Sequence, residues 1–312
     1  MRPPFALLFA LEHILWQSIA MRIGQVRNRL YPKLPRGLLF NGKPLIANTA
    51  QEAADLFATA RLPVLWKGGA ASTPLMRWTP EYLKVAAGDV RVKILKLPGL
   101  GDGGTDQAEQ IMPLSKFIDN LSRAKAYLRF SDLLERSEIL RADLPHGILQ
   151  RLSGGKRRIN LQFFLGAKGG RTPLHAEMNC NIFIQVFGKK RWLVLPASAT
   201  SELLVPAARR FYFFSGIDAF AHRHDARRDN PLQGVEMILE PGDILLCPPL
   251  VWHAVENTML SCSVGYKFNN YLWAFKASPL LFAMNALARN PSYVTYLWHL
   301  LVRKKHPILA SE

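Results

Sequence analysis

The spacing of apolar residues changes character twice along this chain. Phe5, Leu8, Phe9, Leu11, Leu15 and Ile19 recur at helical spacing and predict one broad apolar face of an amphipathic helix over residues 5–30. The Pro/Gly-rich run YPKLPRGLLFNGKPL that follows reads as irregular. QEAADLFATARL predicts a short helix, closed by strand-like LPVLWKG from Leu62 to Gly68. In TPEYLKVAAG, Thr79 suits an N-cap, Pro80 the first helical position and Gly88 the stop. VRVKILKL alternates as a strand, and LSKFIDNLS predicts another short helix ahead of AYLRFSDLL.

From Asn160 onward the pattern becomes that of strands. NLQFFLG, NIFIQVFG, RWLVLP, EMILEPGDILLCP, VWHAVEN and SCSVGYKF are short β-type runs punctuated by Gly, Pro and Asn, as in an antiparallel sandwich or barrel. After Trp273 the chain turns helical again. Ser278-Pro279 opens one helix, and Asn290-Pro291 ends it and opens another running into LWHLLVRKK. With no internal repeat or low-complexity linker, the expected fold is a single α+β unit with a mainly β core. Its parts are an N-terminal helical segment over 1–60, an α/β region over 61–159, the β core over 160–272 and C-terminal helices over 273–312.

Composition adds one unusual feature. The 312 residues are 49% apolar and 20% charged, as in an ordinary globular protein, yet 40 Lys and Arg stand against 23 acids for a formal charge of +17. Such an excess favours anionic partners: nucleic acid, phospholipid head groups, acidic glycolipids or an acidic substrate. No stacking-aromatic motif accompanies the charge, so nucleic acid is not the expected partner. Cys180, Cys247 and Cys262 form no CxxC pair and are odd in number, which argues against a disulfide framework or structural zinc and for a reducing, cytoplasmic setting. No segment reaches the ~18 uninterrupted apolar residues that a membrane span needs. PFALLFALEHILWQSIAM is interrupted by Glu12 and His13, so it is read as an amphipathic helix rather than a signal peptide.

The chemistry concentrates in TPLHAEMNCNIFIQVFGKKRWLVLP, Thr172 to Pro196. Positions two apart on a strand share a face, so His175 and Glu177 present an imidazole and a carboxylate together. That pair suits Fe(II), Mn(II) or Zn(II) and needs one further ligand. PGDILLCPPLVWHAVEN supplies His253, which completes two histidines and one carboxylate with coordination positions left open. His222 and His224 also lie two apart, but in FAHRHDARRDN, which reads as an exposed loop. His13, His146, His299 and His306 have no ligand-spaced partner. After Gly188 turns the chain, Lys190 shares a face with Trp192 and Val194. An ammonium directed into an apolar barrel requires an anion, and a dicarboxylic cosubstrate meets that need.

Taken together, the two stretches resemble the JmjC/cupin-like family of Fe(II)- and 2-oxoglutarate-dependent oxygenases, in the branch that includes the asparaginyl hydroxylase of hypoxia signalling. LPVLWKGGA followed by WTPEYLKVAAGDVRVKI resembles that family's pre-barrel region, so the likeness runs from Pro63 to Phe268. The resemblance implies a double-stranded β-helix (a jelly-roll or cupin barrel) with His175, Glu177 and His253 on iron. It implies Lys190 on the distal carboxylate of 2-oxoglutarate and O2 as second cosubstrate. Thr172 and Asn181 match positions that line the cosubstrate pocket, and Tyr127 matches a tyrosine that some members place against 2-oxoglutarate. The chain departs from the pattern twice. Its acid is Glu where hydroxylases of this branch usually have Asp, and the asparagine often found on the final strand is replaced in SCSVGYKFNN by Gly265 or Asn269.

The last segment, SPLLFAMNALARNPSYVTYLWHLLVRKK, sets aromatic and aliphatic residues beside a basic cluster. Two readings compete for it: a homodimer interface built from C-terminal helices, or peripheral contact with a membrane surface. The expected activity is hydroxylation of an anionic small molecule or glycolipid. A protein or peptide side chain, including demethylation, is the alternative, and a metal-binding cupin without oxygenase activity is a third reading.

Overall fold

In this computed structural model the described residues are 37–96, 107–121, 126–203, 208–209, 212–215, 217–222 and 231–288. The helix expected over 5–30, the last helix after Pro291, and His224 lie outside them.

Sixteen strands are described. Six precede the core: β1 (Leu38–Gly42), β2 (Leu45–Ala47), β3 (Val64–Trp66), β4 (Arg91–Lys96), β5 (Gln107–Pro113) and β6 (Ala126–Ser131). The core begins with β7 (Arg158–Gly166), β8 (Arg171–Glu177), β9 (Cys180–Phe187) and β10 (Lys190–Leu195). Two short strands follow, β11 (Ala208–Arg209) and β12 (Tyr212–Phe214). The core ends with β13 (Leu232–Leu239), β14 (Ile244–Cys247), β15 (Trp252–Asn257) and β16 (Ser261–Phe268). One sheet has the order β1-β13-β10-β15-β8-β12-β11 and the other β2-β3-β14-β9-β16-β7-β6-β4-β5. Successive core strands alternate one by one between the sheets, except that β10 and β13 lie side by side in one, and each sheet contributes four antiparallel neighbours. This is the expected double-stranded β-helix, in a mainly β, α+β fold.

Strand alternation decides what faces the interior. On β7 and β9, Leu161, Phe163, Leu165, Ile182, Ile184 and Val186 turn outward and pack beneath helices that include Phe57, Leu83 and Leu149. On β8, β10 and β15, Leu174, Ala176, Leu193, Leu195, Trp252 and Ala254 form a second outer layer. The residues between them point inward, where Phe164, Phe183, Trp192, Val194 and Val255 make a third cluster inside the barrel. A polar residue at an inward position therefore meets the site.

The predicted helices form where their caps allow. Thr79 Oγ1 accepts from the Tyr82 amide at 3.1 Å, and Thr49 Oγ1 accepts from the Glu52 amide at the same distance. Their helices run Pro80–Ala87 and Ala50–Thr59. One expectation changes. Within the run expected to be irregular, residues 38–42 form β1, and β2 over 45–47 begins at its last residue; they pair in parallel with β13 and β3. Leu38 and Phe40 are buried by this pairing, so a sheet edge supplies the order that local composition does not. The segment over 1–60 is accordingly not helical throughout. Leu133–Arg136, Glu138–Ala142 and His146–Leu152 add short helices outside the barrel. Among the described residues no helix is long and apolar enough to cross a membrane.

Candidate metal centre

β8 carries His175 and Glu177 on one face, 2% and 5% exposed. Antiparallel pairing of β15 with β8 sets His253 directly opposite His175, with a bulge just beyond it. The two imidazole centroids are 4.1 Å apart, and Glu177 Oε1 lies 3.3 Å from His175 Nε2. One ligand atom from each of the three residues falls within 4.8 Å of the others. The approach to His253 is fixed by a strained turn: Leu250 has φ 63°, and its amide donates to the Glu177 carbonyl at 2.6 Å.

Both histidines are held by the nitrogen remote from the centre. Nδ1 of His175 lies 2.8 Å from the Pro173 carbonyl, and Nδ1 of His253 lies 3.0 Å from the Val251 carbonyl. A carbonyl only accepts, so each Nδ1 bears a proton, and Nε2 is the nitrogen that each ring turns toward the centre. Burial, followed by the neighbouring His175, pushes His253 down to about 3, which keeps it neutral at physiological pH. Burial opposes ionisation of Glu177, but the Lys267 ammonium beside it outweighs burial and holds its carboxyl well below the usual carboxylate range. Two imidazoles and one carboxylate are the donor set that Fe(II), Mn(II) and Zn(II) accept, so these residues fit such an ion.

Lys190 lies deeper in the barrel and is completely buried. Its Nζ donates to the Tyr127 hydroxyl at 2.7 Å and sits 5.1–5.6 Å from the ring centres of Tyr127, Phe164 and Phe183. Among the described residues no carboxylate pairs with it. Burial pushes its ammonium down to about 7, and burial pushes the Tyr127 phenol up, so that phenol stays protonated. Thr172 lines the same pocket as Tyr127. Asn181 Oδ1 and Trp192 Nε1 are buried without a hydrogen-bond partner among the described residues. These groups line one pocket together with the His-Glu-His cluster. A buried cation, an idle acceptor and an idle donor on the wall of one pocket are the polar groups that a small dicarboxylate beside the metal would use.

All seven candidate residues thus converge: His175, Glu177 and His253 as the ligand set, with Lys190, Thr172, Asn181 and Tyr127 around the adjoining space. Of the two candidates for the missing asparagine, Gly265 faces the pocket, since a Cβ there would come within 3.2 Å of Asn181 Oδ1. Asn269 is engaged elsewhere, accepting from Asn179 at 2.7 Å and donating to the Tyr271 hydroxyl at 2.7 Å. His222 ends a short helix, Ala219–His222.

Sequence reasoning missed Lys267. It lies on β16, two residues after Gly265 and on the same face, is 2% exposed, and its Nζ donates to Glu177 Oε2. The signal was the same as for Lys190, a lysine at an inward position of a core strand. Trp192, stacked on His253 with centroids 5.2 Å apart, was read as a facial neighbour of Lys190 but not as part of the site.

A β-helical barrel whose interior carries a His-Glu-His cluster, with a buried lysine beyond it, defines a metal-binding cupin. The chain belongs to the family described as the cupin-like domain, whose model matches residues 50–273, and with it to the JmjC/cupin group of Fe(II)- and 2-oxoglutarate-dependent oxygenases. It is 27% identical over 197 residues to lysine-specific demethylase JMJ30 of Arabidopsis thaliana, covering 61% of this chain and 45% of that protein. It is 26% identical over 223 residues to lysine-specific demethylase 8 of Xenopus tropicalis, covering 68% of this chain and 49% of that protein. Jumonji C domain-containing protein 5 of Drosophila melanogaster is 31% identical over 116 residues, covering 35% of this chain and 27% of the relative. The chain therefore spans less than half the length of these relatives. Enzymes of the family use Fe(II), 2-oxoglutarate and O2, and the His-Glu-His cluster is suited to the metal.

Proposed function

We propose that this protein is an Fe(II)- and 2-oxoglutarate-dependent hydroxylase. The observation that carries the reading is Lys190, buried beside the His-Glu-His cluster with a phenol but no carboxylate for a partner among the described residues. A cupin that only binds metal has no use for such a cation, and burying it without an anion is costly. A dicarboxylate supplies the anion and, through its 2-oxo acid end, reaches the metal.

His175 and His253 offer Nε2 and Glu177 one carboxylate oxygen, leaving positions for a chelating cosubstrate and a gas. When bound, iron supplies oxidative decarboxylation of 2-oxoglutarate coupled to oxygen insertion into a substrate C–H bond. The chain's own residues anchor, orient and exclude water. Lys190 and Tyr127 fix the far carboxylate, Thr172 lines the same pocket, and Asn181 and Trp192 offer it an acceptor and a donor. Phe164, Phe183 and Val255 keep that pocket dry.

For the substrate, the charge of +17 supports an anionic small molecule or lipid-linked acid. A second reading is favoured by the demethylase names of the relatives in Arabidopsis and Xenopus: a protein or peptide side chain, hydroxylated or demethylated. Three buried free thiols support a cytoplasmic setting. The test is 2-oxoglutarate binding and uncoupled turnover on anaerobically iron-loaded protein, comparing wild type with His175→Ala and Lys190→Ala. Turnover in wild type and its loss in both variants supports the reading. Metal binding with no response to 2-oxoglutarate leaves a metal-binding cupin and sinks it. Panels of acidic lipids and of peptides then separate the two substrate classes.

A further inference from the structure

Glutamate in the ligand set raises a problem of denticity. Its side chain is one methylene longer than that of aspartate, and a longer, freer carboxylate can give a metal both of its oxygens. A second oxygen on the metal occupies a position that a cosubstrate or gas needs. The two oxygens of Glu177 are used differently here. Oε1 is the one near the ligand nitrogens, 3.3 Å from His175 Nε2, while Oε2 accepts from Lys267.

The contact crosses the barrel. Glu177 closes β8 in one sheet, and Lys267 lies near the end of β16 in the other, 90 residues later. Lys267 is fixed from several sides: β16 pairs it with Asn160 of β7 and Asn181 of β9, and the Phe130 ring centre lies 5.7 Å from Nζ. Phe130 itself adopts φ 55°, a left-handed conformation unusual for an aromatic residue, at the irregularity in β6–β7 pairing. Both members of the ion pair are at least 95% buried.

We propose that Lys267 is a positioning residue that reserves Oε2 of Glu177, so that the glutamate binds the metal through one oxygen and a coordination position stays open. Lys267 thereby offsets the extra reach of Glu over Asp. It acts through Glu177 and touches neither metal nor cosubstrate. The inference rests on the metal-centre reading developed above, and it does not depend on what the substrate is.

The test uses Mn(II) alone, which the same donors accept. Exchangeable water molecules on the bound ion are counted by solvent proton relaxation and by 17O broadening of the Mn(II) resonance, on the wild-type chain, Lys267→Met and Lys267→Arg. Lys267→Met should retain the ion but carry one water fewer than wild type, because the released carboxylate takes that position. Lys267→Arg should restore the wild-type count. Equal counts in wild type and Lys267→Met overturn the proposal, and so does failure of the Arg variant to restore the count. If Lys267→Met does not fold, the wild-type count alone decides: a number that already requires both Glu177 oxygens on the metal overturns it. Failure of wild type to bind Mn(II) overturns it as well. A separate titration with 2-oxoglutarate distinguishes the two readings, since loss of cosubstrate binding with the water difference intact removes the oxygenase and leaves the role of Lys267 standing.

Discussion

Lys190 gives its hydrogen bond to the hydroxyl of Tyr127, at 2.7 Å, in a barrel interior where no described carboxylate reaches it. The phenol solvates the ammonium without neutralising it, and burial leaves the ammonium near its titration point, at about 7.

The first prediction concerns that charge. Lys190→Met replaces a costly buried cation by an apolar chain of similar length, so the ligand-free protein should melt at the same temperature or higher. Its affinity for 2-oxoglutarate should fall by at least ~100-fold, as expected for removal of a buried charge-assisted contact. Differential scanning calorimetry and isothermal titration calorimetry measure the two effects, and a fall in both together would contradict the assignment.

A pH dependence follows from the same group. The folded pKa, about 7, lies below the unfolded value, so between about 7 and the usual lysine range the unfolded chain binds the extra proton. The contribution of Lys190 to stability therefore rises with pH across that window. Cosubstrate binding has the opposite sign, because it needs the ammonium. At pH 8, 2-oxoglutarate binding should take up a proton, visible as a binding enthalpy that changes with the ionisation enthalpy of the buffer.

Metal binding should be a stabilising event confined to three side chains. An ion at a hundredfold excess over its Kd stabilises the folded state by about 2.7 kcal/mol. Tm should rise on addition of Mn(II) or anaerobic Fe(II), and His175→Ala or His253→Ala should abolish the rise. His146→Ala should leave it unchanged, since His146 is exposed on a helix outside the barrel and stands outside the cluster.

Gly188→Ala should damage the site through the backbone. Gly188 has φ +70°, and a Cβ there would sit 1.8 Å from the Leu260 carbonyl oxygen. The turn between β9 and β10 must shift to admit a methyl group, carrying Lys190 with it. A loss of about 3 kcal/mol in urea unfolding, together with weakened 2-oxoglutarate binding, is expected.

Asp143 anchors the helical layer against the outer face of the barrel. Its carboxylate accepts from Trp78 Nε1 at 2.9 Å, the Tyr82 hydroxyl at 2.6 Å and Arg77 at 2.6 Å. Burial opposes its charge, but these donors prevail and hold the carboxyl below its ordinary value. That stability is present above the usual carboxylate range and is lost as pH falls through the lowered value. Asp143→Ala leaves a buried indole N–H unpaired and should cost about 2–3 kcal/mol, with little change in metal binding. Urea unfolding of the variant checks the first and Mn(II) titration the second.

Several features needed only the chain. Two-residue periodicity fixes which side chains share a strand face, so His175 with Glu177, and Lys190 with Trp192 and Val194, were legible before any fold was known. Thr79 and Pro80 marked a helix start for equally local reasons. Sequence also named His253 as a candidate, but its place opposite His175 comes from the register of β15 on β8. Pairing between strands 78 positions apart is a property of sheet order, and local periodicity is silent about it. The same holds for β1, which composition made irregular and β13 made a strand. Lys267 shows the division most clearly. Its inward position could be read from SCSVGYKF, but only closure of the barrel brings its ammonium to Glu177, across 90 residues and from one sheet to the other.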